Sequence, residues 1–441
     1  MRCREKGPEP RLPGAALAII ILVSGTLRAG DGALAPRSYD VEVFDVGEVE
    51  AAARSGRPVD LRWFGRARTL ILEPARLRGR GFRALHVELG REASILEPAR
   101  TFRGRLESEP DSIVRLGVVR GGLRGMVKSS EGWVFFEPFR DGELGPGGAF
   151  PAGAHKVFTE GDIDLSFEGA CAEAEGAWSS SPAVPGDSVE DSQPAELAAG
   201  SLRVLQVAVD ADHEFHLAYG DAATAEIESI LNVVDGIFQV EVGLTIQIVR
   251  TRVFSAEPDP YTSTSANTLL SELRNHWTAN ETAVLRDTVH LFTGKDLDGS
   301  TVGMAGLRAL CNGNAYGLSQ DLASDVIMPL LVAHEIGHNL GASHDPSTSD
   351  PRYIMYPVLS ASNLDEYSAE SKTAISSYTS GLSCLAELNP EPPPPPPPPP
   401  PPSTTPPPPT KKGGGGGGPV DPIFVVLLGA AALLSRRYGH G

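Results

Sequence analysis

The segment that decides the fold is AHEIGHNLGASHD, residues 333–345. On an α-helix His334 and His338 stand four residues apart, so both imidazoles point to one face, where they can bind one metal ion. Glu335 lies next to the first histidine, and its carboxylate can reach a water on that metal and act as general base. The spacing therefore predicts a helix that carries two metal ligands and the base of a hydrolytic site.

The end of this helix supplies a third ligand. Gly341 is the kind of residue that ends a helix in a left-handed turn, and that turn brings His344 back toward His334 and His338. Three protein ligands leave the fourth position open, which is typical of a catalytic zinc site and not of a structural one. The apolar run 327–332 predicts a buried helix, in which unpaired histidines would be costly.

Two segments carry a family resemblance. HEIGHNLGASHD resembles the extended zinc signature of the metzincins, and Asp345 after the third histidine is typical of their adamalysin (reprolysin, ADAM-like) branch. Tyr353 to Pro357, YIMYP, resembles the Met-turn of that family, which implies that Met355 lies beneath the metal. The resemblance implies a zinc endopeptidase with His334, His338 and His344 as ligands and Glu335 as the catalytic residue.

Beyond residue 200, strand patterns alternate with helix patterns, which predicts an α/β architecture with a twisted, largely parallel sheet. The predicted strands are 202–209, 244–254, 288–292 and 301–307, and the predicted helices are 222–239, 268–280, 329–340 and 369–381. LQVAVDADH, residues 205–213, resembles the opening strand of the family, and residues 287–320 resemble its edge strand and following loop. The resemblance implies a zincin-like (metzincin) catalytic domain over residues 201–389, with a twisted mixed sheet and an active-site helix. By the same resemblance, residues 301–307 would pair with an extended peptide substrate.

The region before the catalytic domain differs in pattern. Short apolar runs punctuated by Gly, Pro and Arg predict a β-rich unit, and residues 101–138 resemble the propeptide of the same family. We therefore expect a mostly β propeptide domain over residues 36–177. Residues 178–200 are rich in Pro, Ser and acidic residues, which predicts an exposed linker.

Four cysteines are too few for a disulfide scaffold. Cys3 lies in residues 1–35, which are interpreted as a signal peptide, and it would be removed with that peptide. The resemblance implies that Cys311 and Cys384 form a disulfide. Cys171 is then unpaired, and its late propeptide position implies a latency thiol that occupies the open zinc position. The flanking residues lack the usual family pattern, so an intermolecular disulfide and a thiol without a role remain alternatives.

A calcium site is implied by the resemblance alone. Asp287, the Cys384 carbonyl and Asn389 would supply its ligands. Two departures weaken it, because Gln206 stands where a Glu is usual and Glu387 stands where the family has its Asn.

The N-terminal residues predict export. Basic residues precede the apolar run 15–23, which is far shorter than the ~20 residues that span a bilayer, so residues 1–35 are interpreted as a signal peptide. Such export leads to an oxidising compartment, where a disulfide persists.

The sequence of the C-terminal residues predicts a stalk and a tail. Eleven consecutive prolines, 392–402, predict a polyproline helix about 34 Å long, within a Pro/Gly-rich stalk over residues 390–418. Residues 419–441 hold an apolar segment with a basic end, and the order of these parts resembles the GlyGly-CTERM sorting tags of Gram-negative bacteria. That implies transient membrane contact, removal by a sorting protease, and localisation at the bacterial outer surface or outside the cell. The alternatives are a retained transmembrane tail anchor and a low-complexity tail with no address.

The net charge of −18 and a pI near 5.0 argue against a nucleic-acid partner, which would require a basic face. We therefore expect a secreted or surface-displayed zinc endopeptidase, made as a latent proenzyme, that acts on protein or peptide substrates. The alternative is a stalked adhesion or binding module that retains the metalloprotease fold. The intact Glu335 argues against it.

Overall fold

The structure is a computed structural model of the chain. It describes residues 20–22, 36, 38–95, 97–139, 144–145, 148–163, 169–173, 202–311, 313–322, 324, 326–359 and 366–388. All of these belong to one compact unit, residues 1–389. The predicted linker, the stalk, the C-terminal tail and most of the predicted signal peptide lie outside the described residues, so the predicted domain boundaries stay predictions.

Two nine-stranded sheets, a two-stranded sheet of β11 and β12, and six α-helices make up the described fold. The strands are β1 Ile20–Leu22, β2 Ser38–Val43, β3 Val59–Trp63, β4 Arg66–Pro74, β5 Arg78–Glu88, β6 Arg91–Ile95, β7 Thr101–Leu106, β8 Glu109–Val119, β9 Gly122–Ser129, β10 Gly132–Pro138, β11 Leu144–Gly145, β12 Gly148–Ala149, β13 Ala154–Thr159, β14 Gly169–Glu173, β15 Arg203–Ala211, β16 Leu244–Phe254, β17 Thr288–Thr293, β18 Thr301–Ala305, β19 Tyr316–Gln320 and β20 Val358–Leu359. The helices are α1 Val46–Ser55, α2 His213–Tyr219, α3 Ala223–Glu241, α4 Ala266–Asn280, α5 Ile327–Asn339 and α6 Ala369–Ser380.

The first sheet is antiparallel and runs in the order β1-β2-β13-β10-β9-β8-β7-β4-β3. Strands β10 and β13 are each buried over five consecutive residues, whereas β3 alternates, with Val59, Leu61 and Trp63 buried and Asp60 and Arg62 exposed. That period of two places one face of a strand on the core. The β-rich character predicted for this part of the chain is what the structure has.

The second sheet runs in the order β20-β14-β18-β19-β17-β15-β16-β5-β6. Four neighbouring strands, β19, β17, β15 and β16, are parallel, and β18 joins them antiparallel. The sheet is therefore mixed, and the predicted mixed α/β class is confirmed.

Most predicted elements after residue 200 lie within a few residues of observed ones. The strand predicted over 244–254 has those bounds in the structure, and the helix predicted over 222–239 is α3. Two elements were not predicted from the sequence: α2, a helix of only seven residues, and β19, a strand of only five.

The hairpin β5–β6 was not expected in this sheet. It comes from the N-terminal part of the chain, and β5 pairs parallel with β16. Residues of both parts also share one hydrophobic core. Within the described residues no helix is long and apolar enough to cross a membrane.

Candidate metal centre

Helix α5 carries His334 and His338, the first two of the three predicted ligands. Every one of its residues is buried. Asn339 at its end fixes the helix to the sheet, because its Nδ2 donates to the carbonyls of Gly306 at 2.7 Å and Tyr316 at 3.1 Å. The helix is therefore held rigidly against the strands that form the rest of the site.

The chain turns sharply after α5. Gly341 has φ of +105°, a backbone conformation that favours glycine, and its N–H donates to the His338 carbonyl at 2.9 Å. A Cβ at this position would also lie 3.0 Å from the Tyr378 side chain. The predicted turn is present, and it directs His344 toward the two helical histidines.

The three histidines converge through their Nε2 atoms. The Nε2 of His334 lies 3.1 Å from that of His338 and 3.2 Å from that of His344. On the far side of two rings, Nδ1 of His334 lies 2.6 Å from the Ile354 carbonyl and Nδ1 of His338 lies 2.8 Å from the Ala342 carbonyl. A carbonyl only accepts, so each Nδ1 carries the proton and each Nε2 presents a lone pair to the centre.

This donor set fits zinc. Three nitrogens at the usual Zn–N distance of about 2.0–2.1 Å in tetrahedral geometry lie roughly 3.3–3.4 Å apart, close to the separations observed. Lone pairs converging this closely in a dry site repel one another unless a cation lies between them. The backbone carbonyls that orient two of the rings are the usual outer partners of metal-binding histidines.

Electrostatics agree with neutral ligands. Burial lowers the pKa of His334 well below its usual value, and the neighbouring His338 lowers it further. A metal-ligating imidazole must be neutral at the nitrogen that binds. The site therefore holds His334 in the form that a cation requires.

Glu335 is fully buried beside His334. Its position depends on Gly303 of β18, because a Cβ at residue 303 would lie 2.3 Å from Oε1 of Glu335. Sequence reasoning did not find Gly303. The only signal was a glycine inside a predicted strand, which often marks a close approach.

Met355 is fully buried and packs against α5 at Gly337, where a Cβ would lie 2.7 Å from the Met355 sulfur. The hydroxyl of Tyr367 packs at the same glycine and donates to the Ala333 carbonyl at 2.7 Å. The segment that resembles a Met-turn thus lies against the metal-binding helix.

Asp345 holds the segment after His344 in place. Its Oδ1 accepts hydrogen bonds from the hydroxyls of Ser368 at 2.6 Å and Ser371 at 3.0 Å, and its N–H donates to the Met355 carbonyl at 2.8 Å. The Asp345 carboxylate therefore holds the start of α6, and its backbone N–H holds the segment at Met355.

Cys171 is brought to the same site from the N-terminal side. Its strand, β14, pairs parallel with β18 and antiparallel with β20. One ligand atom each of Cys171, His334 and Glu335 lies within 4.8 Å of the others. Burial raises the pKa of the Cys171 thiol well above its usual value and Glu335 raises it further, whereas a cation beside it would favour the thiolate.

The remaining predicted positions have mixed outcomes. Cys311 and Cys384 form the expected disulfide, with Cα atoms 6.2 Å apart. The carboxylate of Asp287 accepts from the Gln206 N–H at 2.7 Å, and burial raises its pKa to about 6. Asn389 lies outside the described residues, so the calcium site stays a prediction.

Known proteins resemble this chain over the same region. Residues 201–368 match the Reprolysin_5 model of metallopeptidase family M12. The snake venom metalloproteinase trimerelysin-2 of Protobothrops flavoviridis is 29% identical over 152 residues, which cover 32% of this chain and 74% of that protein. Both comparisons support a zinc metalloendopeptidase of the reprolysin type.

A solved structure titled "Structure of a chaperone-substrate complex" is a weaker match. It is 17% identical with a TM-score of 0.33, and the match covers 40% of this chain and 34% of that one. A likeness of that size carries no argument about fold or function.

Proposed function

We propose that the metallopeptidase domain of this protein is made as a latent zinc endopeptidase, in which the strand β14 and Cys171 close the cleft. The observation that supports latency is the position of a buried thiol on a strand paired to β18, beside His334 and Glu335. A peptide strand already paired at this edge excludes another one. A ligand atom of Cys171 also lies within 4.8 Å of one of His334, next to a three-histidine site whose fourth position is open.

The three histidines would hold the metal, and Glu335 would carry the proton. When bound, zinc polarises the scissile carbonyl and lowers the pKa of the attacking water toward about 7. The Glu335 carboxylate accepts a proton from that water and delivers it to the leaving amine as the C–N bond breaks. One water is consumed, and the products are a new carboxyl and a new amine, with no covalent bond to the protein.

Strand β18 would position the substrate. Its edge offers backbone N–H and C=O groups that β14 now occupies, and departure of β14 makes them available to an extended peptide by β-augmentation. Gly303 at the centre of that edge leaves room for the Glu335 carboxylate. The substrate backbone is then held next to the base.

A Cys171→Ser variant tests latency. We expect the uncut variant to cleave a peptide library at least ~10-fold faster than the uncut wild-type protein, because a hydroxyl is a poor replacement for a thiolate ligand. A zinc chelator should abolish cleavage by both. Ala172→Ser, on the same strand, is the control and should remain latent. Equal activity of Cys171→Ser and wild type would refute the role of the thiol.

We propose export and surface display from the sequence of the two ends. The basic-then-apolar start supports a signal peptide, and the stalk followed by an apolar segment and Arg436-Arg437 supports a sorting tag. Cell fractionation of the full chain and of a chain ending at residue 418 tests this. The full chain should reach the surface fraction and the shortened chain should not; identical distributions would contradict the tag.

A further inference from the structure

We infer that the N-terminal unit, residues 38–163, is a resident partner of the metallopeptidase unit, residues 202–388, and stays bound to it after the chain between them is cut. This goes beyond the proposed function, because it concerns the association of two parts and not hydrolysis. The contacts between the two units carry the inference.

Helix α3 lies between the two sheets. Sixteen of its nineteen residues are buried, far more than a helix that packs only one face against a sheet. It packs against β16 and α5 of the metallopeptidase unit and against β7, β8 and β9 of the N-terminal sheet. The N-terminal unit therefore covers a face of α3 that would otherwise meet water.

The covered face is acidic, and arginines of the N-terminal unit match it. Nε of Arg78 lies 2.7 Å from Oε1 of Glu228 and its Nη2 lies 3.2 Å from Oε2, a bidentate pair in which Glu228 is 3% exposed. Two further ion pairs lie along α3: Arg124 with Glu226, and Arg115, whose Nη2 lies 3.6 Å from Oδ2 of Asp235. Three acids each paired with an arginine from the other unit make a charge-complementary interface.

An amide in the same face adds a neutral contact. Asn232 is fully buried, and its Nδ2 donates to the carbonyls of Phe102 at 3.0 Å and Leu116 at 3.1 Å. The helix and the sheet approach closely here, because a Cβ on Gly117 of β8 would lie 2.6 Å from Oγ of Ser229. The helix and the sheet are therefore in direct contact here, and the contact leaves no room for a methyl group at residue 117.

The hairpin β5–β6 makes a second, independent attachment. The Ile248 N–H donates to the Leu77 carbonyl at 2.6 Å and the Ser255 N–H donates to the Val87 carbonyl at 3.0 Å, at the two ends of the β5–β16 pairing. Without β5 the eleven-residue strand β16 would become a long open sheet edge, which proteins avoid because it promotes aggregation. The hairpin thus covers an edge strand of the metallopeptidase unit.

The attachment at the cleft is much smaller. Strand β14 has five residues, mostly small ones, and its bonds to flanking segments are those of the Ala170 N–H to Ser300 at 2.8 Å and the Cys171 N–H to Pro357 at 3.4 Å. Four of its five side chains are Gly, Ala or Cys, so its departure would expose less apolar area than loss of the α3 and β16 contacts. The cleft can therefore open while the N-terminal unit stays bound.

Cutting the linker in a controlled way tests the inference. A recognition sequence for a site-specific protease is placed within residues 178–200 of a Glu335→Ala protein, which cannot digest itself, and the folded protein is cut. We expect two fragments on a denaturing gel but one species by size exclusion and native mass spectrometry, even after dilution to about 100 nM. Separate elution of the fragments, with the metallopeptidase fragment still folded by circular dichroism, would overturn the inference. The result does not depend on peptidase activity, so it is distinguishable from failure of the proposed function.

A charge swap tests the interface itself. Glu228→Arg should raise the dissociation constant of the cut complex at least ~30-fold, and adding Arg78→Glu should restore most of the affinity. Arg57→Glu, whose exposed partner Glu48 lies in the N-terminal unit, is the control and should change nothing. If Glu228→Arg does not fold, Glu228→Gln keeps the shape and removes the charge. An unchanged dissociation constant in the folded variant would refute the interface.

Discussion

Helices α5 and α3 are both buried and both carry polar side chains, yet the polar groups differ in kind. On α5, His334 and His338 are neutral and turn their lone pairs toward each other and toward His344. On α3, carboxylates pair with arginines of the N-terminal unit. Converging neutral donors indicate a cation site, whereas compensated charges indicate an interface.

The largest expected effect concerns α5. In the Cys171→Ser background, His334→Ala removes the central ligand, so the protein should lose its zinc and its peptidase activity should fall at least ~1000-fold. Metal analysis and peptide cleavage measure this, with His276→Gln on α4 as a control that keeps zinc. Retention of zinc by His334→Ala would contradict the assignment of α5 as the metal-binding helix.

His155, a buried histidine of the N-terminal unit and not of the metal centre, is expected to make the folding stability depend on pH. Nε2 of His155 accepts from the Leu123 N–H at 2.7 Å, and burial lowers its pKa to about 4. The folded state therefore binds fewer protons than the unfolded state between about pH 4 and 6.5, so this stability is present above pH 6.5 and lost as the pH falls to 4. Urea unfolding should show a loss of about 3 kcal/mol from this group. His155→Gln should not show this loss of stability. If the variant and the wild-type protein lost the same stability between pH 6.5 and pH 4, the role of His155 would be wrong.

Gly303→Ala separates metal binding from catalysis at α5. The added Cβ would displace the Glu335 carboxylate, so in the Cys171→Ser background the peptidase rate should fall about 10- to 100-fold while the zinc content stays unchanged. Gly47→Ala in α1, where a Cβ meets only Asp45 Oδ1 at 3.5 Å, is the control. The rate of the Cys171→Ser parent, if Gly303→Ala kept it, would show that the carboxylate tolerates movement.

The smallest effect concerns α3. Asn232→Ala removes the amide that bonds two carbonyls of the N-terminal unit, and the free energy of unfolding should fall by about 1–3 kcal/mol without a change in zinc content. Denaturant unfolding measures this. Asn275→Ala, at an exposed position on α4, is the control and should have little effect. An equal loss of unfolding free energy in both variants would show that the Asn232 contact does not stabilise the interface on α3.

The sequence made α5 and its three histidines predictable because the ligands and the base lie within eleven residues and their spacing expresses helix geometry directly. The interface on α3 was not predictable in this way, since Arg78 and Glu228 are 150 residues apart and no local pattern links them. For the same reason the pairing of β5 with β16 and the role of Gly303 became visible only in three dimensions. The resemblance supplied what spacing did not, including the disulfide between Cys311 and Cys384.

Comparing Glu335→Gln with the parent protein, both in a Cys171→Ser background, tests the central claim most directly. Zinc content and the rate of peptide cleavage are measured on the same samples. The account predicts equal zinc, one ion per chain, and a rate about 100- to 10,000-fold lower in Glu335→Gln, because the proton acceptor is gone while the ligands remain. Cleavage by Glu335→Gln at the parent rate, or a parent protein that binds no zinc, would contradict it.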